Sequence, residues 1–142
     1  MPTRSYLFYS KLIGIKYTHF EADKVIAELP ITKQLTQPVG ILHGGINVVL
    51  AESVASFGSI CNVDIRTSSC VGLEINANHV ASGQVGDTLI AVGTPYFRGK
   101  RTQVWGVEIR SKQTNQLICI ARCTTAVVNR ATSKTGKVSS KL

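Results

Sequence analysis

A single carboxylate within an apolar stretch is the feature of this sequence best suited to chemistry. Glu52 is the only Asp, Glu, Lys or Arg between residues 40 and 60. Burying an unpaired carboxylate is costly, so its presence there indicates a functional role. Ser56 follows one helical turn later, on the same face. Just upstream, His43-Gly44-Gly45 opens the helical pattern, where the unpaired N–H groups of a helix start can bind an anion.

The residues around Glu52 predict the helix that positions it. Apolar residues recur at spacings of three and four and form one stripe: Ile46, Val49, Leu50, Val54 and Phe57. The pattern begins after Pro38 and Gly40, which interrupt any preceding element, and it ends near Asn62. Small residues on its flanks let other backbone approach closely. These features predict a central helix over residues 46–60 with a sheet wrapped around it.

The remaining segments predict mostly β-strands. Residues 6–13 favour a short helix that covers the domain, and residues 24–31 favour a strand before the long helix. Four further strands, separated by turn residues, are predicted at 70–80, 88–97, 101–110 and 116–128. Gly93 and Pro95 are expected to break the second of these. In the strand predicted at 70–80, alternate residues are expected to share one face: Val71, Leu73, Ile75, Ala77 and His79.

This order of elements predicts an α+β domain. The four strands after the helix are expected to pair consecutively as antiparallel hairpins. Because one helix cannot cover both faces of a five-stranded sheet, the antiparallel sheet is expected to curl around it. An exposed edge strand invites pairing with another sheet edge, which favours a dimer with a continuous sheet.

Length and composition fit one domain. The chain has 142 residues, of which 44% are hydrophobic and 17% are charged, as in globular proteins with a core. We expect the domain to span 1–128 and the Ser- and Lys-rich tail 129–142 to be disordered. No apolar run reaches the roughly 18 residues of a membrane span, and the N-terminus lacks a signal core. The cysteines lack metal-ligand spacing and are expected to be reduced thiols, so no metal is predicted: Cys61, Cys70, Cys119 and Cys123.

The net charge of +8 is unevenly distributed. Four basic residues lie in the last thirteen positions: Arg130, Lys134, Lys137 and Lys141. A low aromatic content of 6% and the lack of a nucleic-acid motif argue against nucleic acid as a partner. The local cluster Arg98-Gly99-Lys100-Arg101 fits either a small ligand that carries phosphate or a solvated hairpin turn.

Three motifs, in order, indicate a family. The first is Gln37-Pro38-x-Gly40-x-Leu42-His43-Gly44-Gly45 followed by Ala51-Glu52, and the others are residues 73–79 and 102–105. Over roughly residues 10–128 the chain resembles the hotdog-fold acyl-CoA thioesterases. Within them it is most similar to the bacterial 1,4-dihydroxy-2-naphthoyl-CoA thioesterases of menaquinone synthesis and their aryl-CoA relatives. The resemblance implies a hotdog fold, a curled antiparallel sheet around one long central helix.

The resemblance also implies catalytic roles. Glu52 would act as nucleophile on the thioester carbonyl or as general base on water. The backbone N–H of Gly45 would stabilise the oxyanion, and Gln37 and His43 would flank the thioester. Ser56 would hold the attacking water. In this family the Glu and the His-Gly loop come from different subunits, which implies a homodimer with composite sites, within an expected homotetramer.

Further residues are expected to contact the substrate. His79 is similar in position to a histidine that borders the family's active site, and Gly44 belongs to the same site. Phe57 is expected to face the acyl pocket, where related enzymes more often carry a smaller aliphatic residue. Four residues match the region near the coenzyme A nucleotide: Arg98, Gly99, Lys100 and Arg101. No separate cofactor is implied, because coenzyme A is part of the substrate.

The function predicted from these residues is hydrolysis of an aromatic acyl-CoA, first of all 1,4-dihydroxy-2-naphthoyl-CoA in menaquinone or phylloquinone synthesis. The alternatives are a broad aryl-CoA, acyl-CoA or acyl-carrier-protein proofreading thioesterase, and a non-catalytic acyl-CoA-binding hotdog domain. A pure binder has no reason to keep Glu52 and Ser56 inside its core. A cytoplasmic location is predicted, with peroxisomes as the alternative because the chain ends Ser140-Lys141-Leu142.

Overall fold

The computed structural model describes residues 8–130. The helices are α1 Phe8–Ile13, a 3₁₀ turn Lys33–Leu35 and α2 Gly44–Ile60. The strands are β1 Lys16–Phe20, β2 Val25–Pro30, β3 Ser68–His79, β4 Thr88–Arg98, β5 Thr102–Ser111 and β6 Leu117–Asn129. The long helix therefore ends where its apolar stripe predicts, and it begins at the paired glycines.

The strands form one antiparallel sheet that wraps around α2, in the order β1-β2-β4-β5-β6-β3. Leu50 and Val54 of α2 and Trp105 of β5 are completely buried between helix and sheet. Gly58 lets helix and sheet approach closely, because a Cβ at this position would overlap the indole ring of Trp105. The predicted hotdog fold is confirmed.

The sheet has one strand more than predicted. The sequence did not predict β1, which has the five residues Lys-Tyr-Thr-His-Phe. None of its side chains is fully buried, and they alternate only between exposed and half-buried. Such a short, largely polar run resembles a loop in sequence. Its pairing with β2 shows that it forms the edge of the sheet opposite to β3.

The connection between β3 and β4 also differs from the prediction. β3 pairs with β6 at the edge of the sheet, and of the four strands after α2 only β4, β5 and β6 follow one another as hairpins. The turn residues 83–87 belong to a crossover. The carbonyl of Gly83 accepts from the Leu42 N–H at 3.0 Å, and that of Asp87 accepts from the Ile31 N–H at 2.8 Å. These bonds tie the crossover to the loops around α2 and β2, so it cannot fold back as a hairpin.

β4 is continuous through the two residues that were expected to break it. The register shifts between Pro95 and Phe97, and this bulge accommodates the proline. Gly93 lies opposite Val54 of α2, where a larger residue would overlap the valine side chain. Both residues thus shape the strand without ending it.

A bulge in β3 overturns the predicted alternation of that strand. The register shifts between Gly72 and Glu74, and the extra residue reverses which side chains face the helix. Val71 and Leu73 are 46% and 61% exposed, whereas Cys70 is buried. The partners of these residues on β6 place Cys70, Gly72, Ile75, Ala77 and His79 on the helix-facing side. The prediction holds for the second half of the strand and is wrong for the first.

The thiols are expected to react slowly in the folded protein. Cys70, Cys119 and Cys123 are buried and Cys61 is half-buried, all of them unpaired. Burial raises the pKa of Cys70 to about 11 and that of Cys123 to about 12, the latter helped by nearby carboxylates. Because the thiolate is the reactive form, iodoacetamide at neutral pH should label these two cysteines only after unfolding in guanidinium. Mass spectrometry checks this, and fast labelling of either in the folded protein would contradict it.

Some predictions fall outside the described part of the chain. They are the first two residues of the predicted helix 6–13, almost all of the tail 129–142, and the C-terminal Ser-Lys-Leu on which the peroxisomal alternative depends. Within residues 8–130, no helix is both long and apolar enough to cross a bilayer.

Candidate active site

The start of α2 is held by a closed loop and by its own histidine. The carbonyl of Leu35 accepts the N–H of His43 at 2.9 Å, which draws the loop back against the helix start. The Nδ1 atom of His43 accepts the N–H of Gly45 at 2.9 Å and caps α2. Gln37 lies in the same loop, half-buried, with its Oε1 at 3.5 Å from the N–H of Val39.

The capping bond bears on which backbone N–H can meet a substrate. The predicted oxyanion donor, the N–H of Gly45, is occupied by His43. The N–H of Gly44 has no acceptor within residues 8–130. An oxyanion at this helix start would meet the Gly44 N–H directly, whereas the Gly45 N–H becomes available only if the His43 ring turns away.

β3 brings a second histidine to the same place. His79 is the last residue of β3, and its Nδ1 lies 3.2 Å from Nδ2 of Asn47 on α2. Its Nε2 lies 3.0 Å from the position of a Cβ added to Gly44, so the ring packs closely against this glycine. Four predicted site residues therefore meet at the helix start: His43, Gly44, Gly45 and His79. Asn47 was not predicted, because an amide within a helix carries no signal of its own.

Glu52 lies further along α2, away from this cluster. Nine positions separate it from His43, which is about 13 Å along the helix axis. Its carboxylate packs against the bulge of β3, since a Cβ added to Gly72 would overlap Oε1 of Glu52. Within one chain, Glu52 and the His43 loop are thus about two and a half helical turns apart.

Glu52 forms part of the wall of a cavity of about 400 Å³. The lining combines one face of α2 with α1 and β1: Ser10, Tyr17, Val49, Glu52, Ser53, Ser56, Phe57 and Ile60. Three of the predicted site residues, Glu52, Ser56 and Phe57, therefore share one cavity. An apolar wall with a few polar groups is typical of small-molecule sites.

An aromatic stack forms one side of this cavity. The rings of Tyr17 and Phe57 stack with centroids 4.3 Å apart and an interplanar angle of 20°, and Phe20 meets Phe57 edge-on at 5.4 Å. The hydroxyl of Tyr17 donates to the carbonyl of Ser53 at 3.3 Å. Burial raises the pKa of Tyr17, which keeps this hydroxyl neutral and able to donate. Sequence reasoning missed Tyr17 because it missed β1.

The basic cluster lies beyond the other end of α2. Arg98 ends β4, and its Nη1 donates to Oδ1 of Asn62 at 3.4 Å and to a backbone carbonyl of the β1–β2 turn at 3.3 Å. Lys100 and Arg101 are exposed in the turn between β4 and β5. Arg98 is exposed as well, but its Nη1 already bonds to two acceptors, whereas the side chains of Lys100 and Arg101 have no hydrogen-bond partner within residues 8–130.

The groups at the two parts of the site suit acyl chemistry. A carboxylate beside a hydroxyl can attack a carbonyl or activate water, and a helix N–H beside an imidazole can stabilise the oxyanion that results. Within residues 8–130, no group of three or more His, Cys, Asp or Glu side chains is placed to hold a metal ion.

Known proteins with acyl-transfer chemistry of this kind are similar to this chain in sequence. Residues 39–118 match the profile of the thioesterase superfamily. A 1,4-dihydroxy-2-naphthoyl-CoA hydrolase of Listeria monocytogenes is 44% identical over 115 residues, which cover 81% of this chain and 91% of that protein.

Solved structures extend the likeness to the whole fold. A thioesterase of Haemophilus influenzae matches with a TM-score of 0.77 at 36% identity, covering 85% of this chain and 82% of that one. A Streptococcus mutans protein bound to acetyl CoA matches with a TM-score of 0.73 at 25% identity, covering 82% and 90% of the two chains. Sequence motifs, fold and relatives agree, and the chain belongs to the thioesterase superfamily as a hotdog-fold thioester hydrolase.

Proposed function

We propose that this enzyme hydrolyses an aromatic acyl-CoA, with 1,4-dihydroxy-2-naphthoyl-CoA as the first candidate. The products are the free acid and coenzyme A, which would place the enzyme in menaquinone or phylloquinone synthesis. The observation that carries the proposal is the shared cavity, in which the Glu52 carboxylate and the stack of Tyr17 on Phe57 line one space. The name of the Listeria relative supports the choice of acyl group.

The cavity fits an aromatic acyl group in size and chemistry. Its volume of about 400 Å³ lies within the range of about 300–1,000 Å³ of small-molecule sites. An aromatic ring entering beside Phe57 gains about 0.5–1.5 kcal/mol from ring contacts beyond the burial of its area. The hydroxyls of Ser10 and Ser56 lie in the same lining and can bond to polar substituents of the ring.

Glu52 supplies the chemical step. It either attacks the thioester carbonyl, forming an anhydride that water then hydrolyses, or takes a proton from a water held beside Ser56. In both routes the tetrahedral oxyanion collapses with loss of the coenzyme A thiolate, and one water is consumed for each thioester. The N–H of Gly44 takes the place predicted for that of Gly45, because His43 occupies the latter. Gln37, in the loop beside His43, would orient the thioester.

The separation of His43 from Glu52 supports a composite site. About 13 Å of helix lies between them, so the His43 loop of one protomer would have to meet Glu52 of another. β3 offers a surface for this contact, because it lies at the edge of the sheet and pairs there with β6. Pairing the β3 edges of two protomers would continue the sheet through the backbone groups of that edge. We therefore propose a homodimer with two composite sites, and the homotetramer stays a prediction.

The phosphates of coenzyme A require basic partners. Lys100 and Arg101 are exposed in the β4–β5 turn and can pair with phosphate. Arg98, bonded to Asn62, would instead hold the base of this turn in place, next to Gly99. The acetyl CoA bound to the Streptococcus mutans relative supports this class of substrate. No cofactor beyond the substrate is proposed.

A panel of coenzyme A thioesters tests the proposal. We expect hydrolysis of 1,4-dihydroxy-2-naphthoyl-CoA to exceed that of benzoyl-, phenylacetyl- and medium-chain acyl-CoA. Equal turnover of all of them would agree with a thioesterase but not with this substrate, and would indicate a role in broad coenzyme A recycling. No turnover of any thioester would refute the catalytic function and leave an acyl-CoA binder.

Replacing Phe57 with Leu should weaken the preference for aromatic substrates. Leu keeps the apolar wall but removes the ring that stacks on Tyr17, so we expect kcat/KM for the aryl-CoA to fall about 10-fold relative to a medium-chain acyl-CoA. The ratio of the two kcat/KM values measures this. Phe97→Leu is the matched control, since Phe97 is 57% exposed near the β4–β5 turn. An unchanged ratio in Phe57→Leu would place the acyl group elsewhere.

A further inference from the structure

We propose that Asn47 is a positioning residue that holds the neutral His79 ring in the tautomer with its proton on Nε2. The inference rests on the proposed function, because it concerns the part of the site that would bind the thioester oxygen. Asn47 lies in the first turn of α2 and faces the end of β3. Its Nδ2 lies 3.2 Å from Nδ1 of His79.

The burial of Asn47 indicates that this contact has a use. The residue is 3% exposed, and its Oδ1 is buried with no partner among residues 8–130. A buried acceptor without a partner destabilises the fold, and an apolar side chain of similar size would avoid that cost. The Asn47 amide therefore lowers the stability of the fold, and packing alone does not explain why this position carries an amide.

The contact of the Asn47 Nδ2 with Nδ1 points to one tautomer of His79. An amide nitrogen can only donate a hydrogen bond, so Nδ1 must be unprotonated to accept it. A neutral imidazole then carries its proton on Nε2. That atom lies 3.0 Å from the position of a Cβ on Gly44, beside a backbone N–H without an acceptor in the described part of the chain. The His79 Nε2–H would then be a second donor near the Gly44 N–H, able to meet the same thioester oxygen.

Nuclear magnetic resonance tests the tautomer without reference to activity. The chain has three histidines, so long-range proton–nitrogen spectra of the ¹⁵N-labelled protein can be assigned with His19→Gln and His79→Gln variants. We expect the neutral His79 ring of the wild type to carry its proton on Nε2. Asn47→Leu should give a mixture of tautomers, and Asn47→Asp, which accepts instead of donating, should move the proton to Nδ1 or give the doubly protonated ring. A wild-type ring protonated on Nδ1, or spectra unchanged in Asn47→Leu, would overturn the inference.

Kinetics and stability then separate positioning from a structural role. Asn47→Leu should lower kcat about 10-fold with little change in KM, because the second donor is no longer held in place. Its melting temperature should stay the same or rise, since the unpaired oxygen is gone. A loss of kcat that only follows a loss of folded protein would contradict the proposal.

The matched control is Asn62→Leu, at the other end of α2. Its Nδ2 donates to the carbonyls of Ala22 and Gly58 at 2.7 and 2.9 Å. This variant should lose stability while the His79 signals stay unchanged, and a change in those signals would show that the ring responds to any weakening of α2. A wild type that turns over no thioester would refute the proposed function alone, whereas the spectra decide the role of Asn47.

Discussion

Glu52→Gln is expected to lower kcat/KM for the preferred aryl-CoA by about 10²–10⁴-fold with the fold intact. Gln has the shape of Glu and fits the same space against Gly72, but its amide neither attacks a carbonyl nor takes a proton from water. Stability should not fall, because the half-buried carboxylate has no salt-bridge partner within residues 8–130. Release of coenzyme A thiol and the melting temperature, measured side by side, check both parts.

Glu74→Gln is the matched control for this experiment. Glu74 is an exposed carboxylate on the same strand that Glu52 packs against, two residues from Gly72. It points away from the helix, and we expect its variant to keep the activity of the wild type. If Glu52→Gln were as active as Glu74→Gln, the Glu52 carboxylate would have no part in the reaction.

Mixing two inactive variants tests the composite site directly. His43→Ala and Glu52→Gln should each be nearly inactive alone, since each lacks one half of every site. After unfolding and refolding together, half of the dimers combine the two chains, and each such dimer has one intact site of two. Recovery of about a quarter of the wild-type activity is then expected. If both residues served one site within the same chain, mixing would restore nothing.

Local patterns predicted the parts of the fold that depend on neighbouring residues. The stripe from Ile46 to Phe57 marked α2, and turn residues marked the hairpins of β4, β5 and β6. The pairing of β3 with β6 could not be predicted this way, because it joins segments far apart in sequence and depends on how the sheet closes around the helix. The same limit applies to β1, which becomes recognisable only through its contacts with β2.

The residues of the candidate site show the same difference between local patterns and contacts of distant segments. Glu52, Ser56 and Phe57 share one cavity because helical spacing already places them on one face of α2. Tyr17 and Asn47 could be identified only from the structure, since each acts through a contact with another element. The same is true of the bulge at Gly72. A period of two predicts a face, but it cannot show where one extra residue reverses it.

Gly72→Ala is expected to lower kcat/KM about 10²-fold although it changes no catalytic group. An added Cβ would overlap Oε1 of Glu52, so the carboxylate has to move, and a shift of about 1 Å at a reacting group can cost this much. Stability should be kept or slightly raised, because Gly72 has no positive φ and the end of a flexible side chain can yield. Steady-state kinetics and thermal unfolding measure the two effects.

Gly93→Ala completes this test, since it makes the same change on another strand that faces α2. There the added Cβ would overlap Val54, a completely buried core residue that cannot move into solvent. We expect this variant to lose about 1–3 kcal/mol of unfolding free energy, while its folded fraction keeps the kcat of the wild type. The same substitution thus should reduce activity at Gly72 and stability at Gly93. A Gly72→Ala enzyme with full activity would show that the position of Glu52 against β3 does not matter for the reaction.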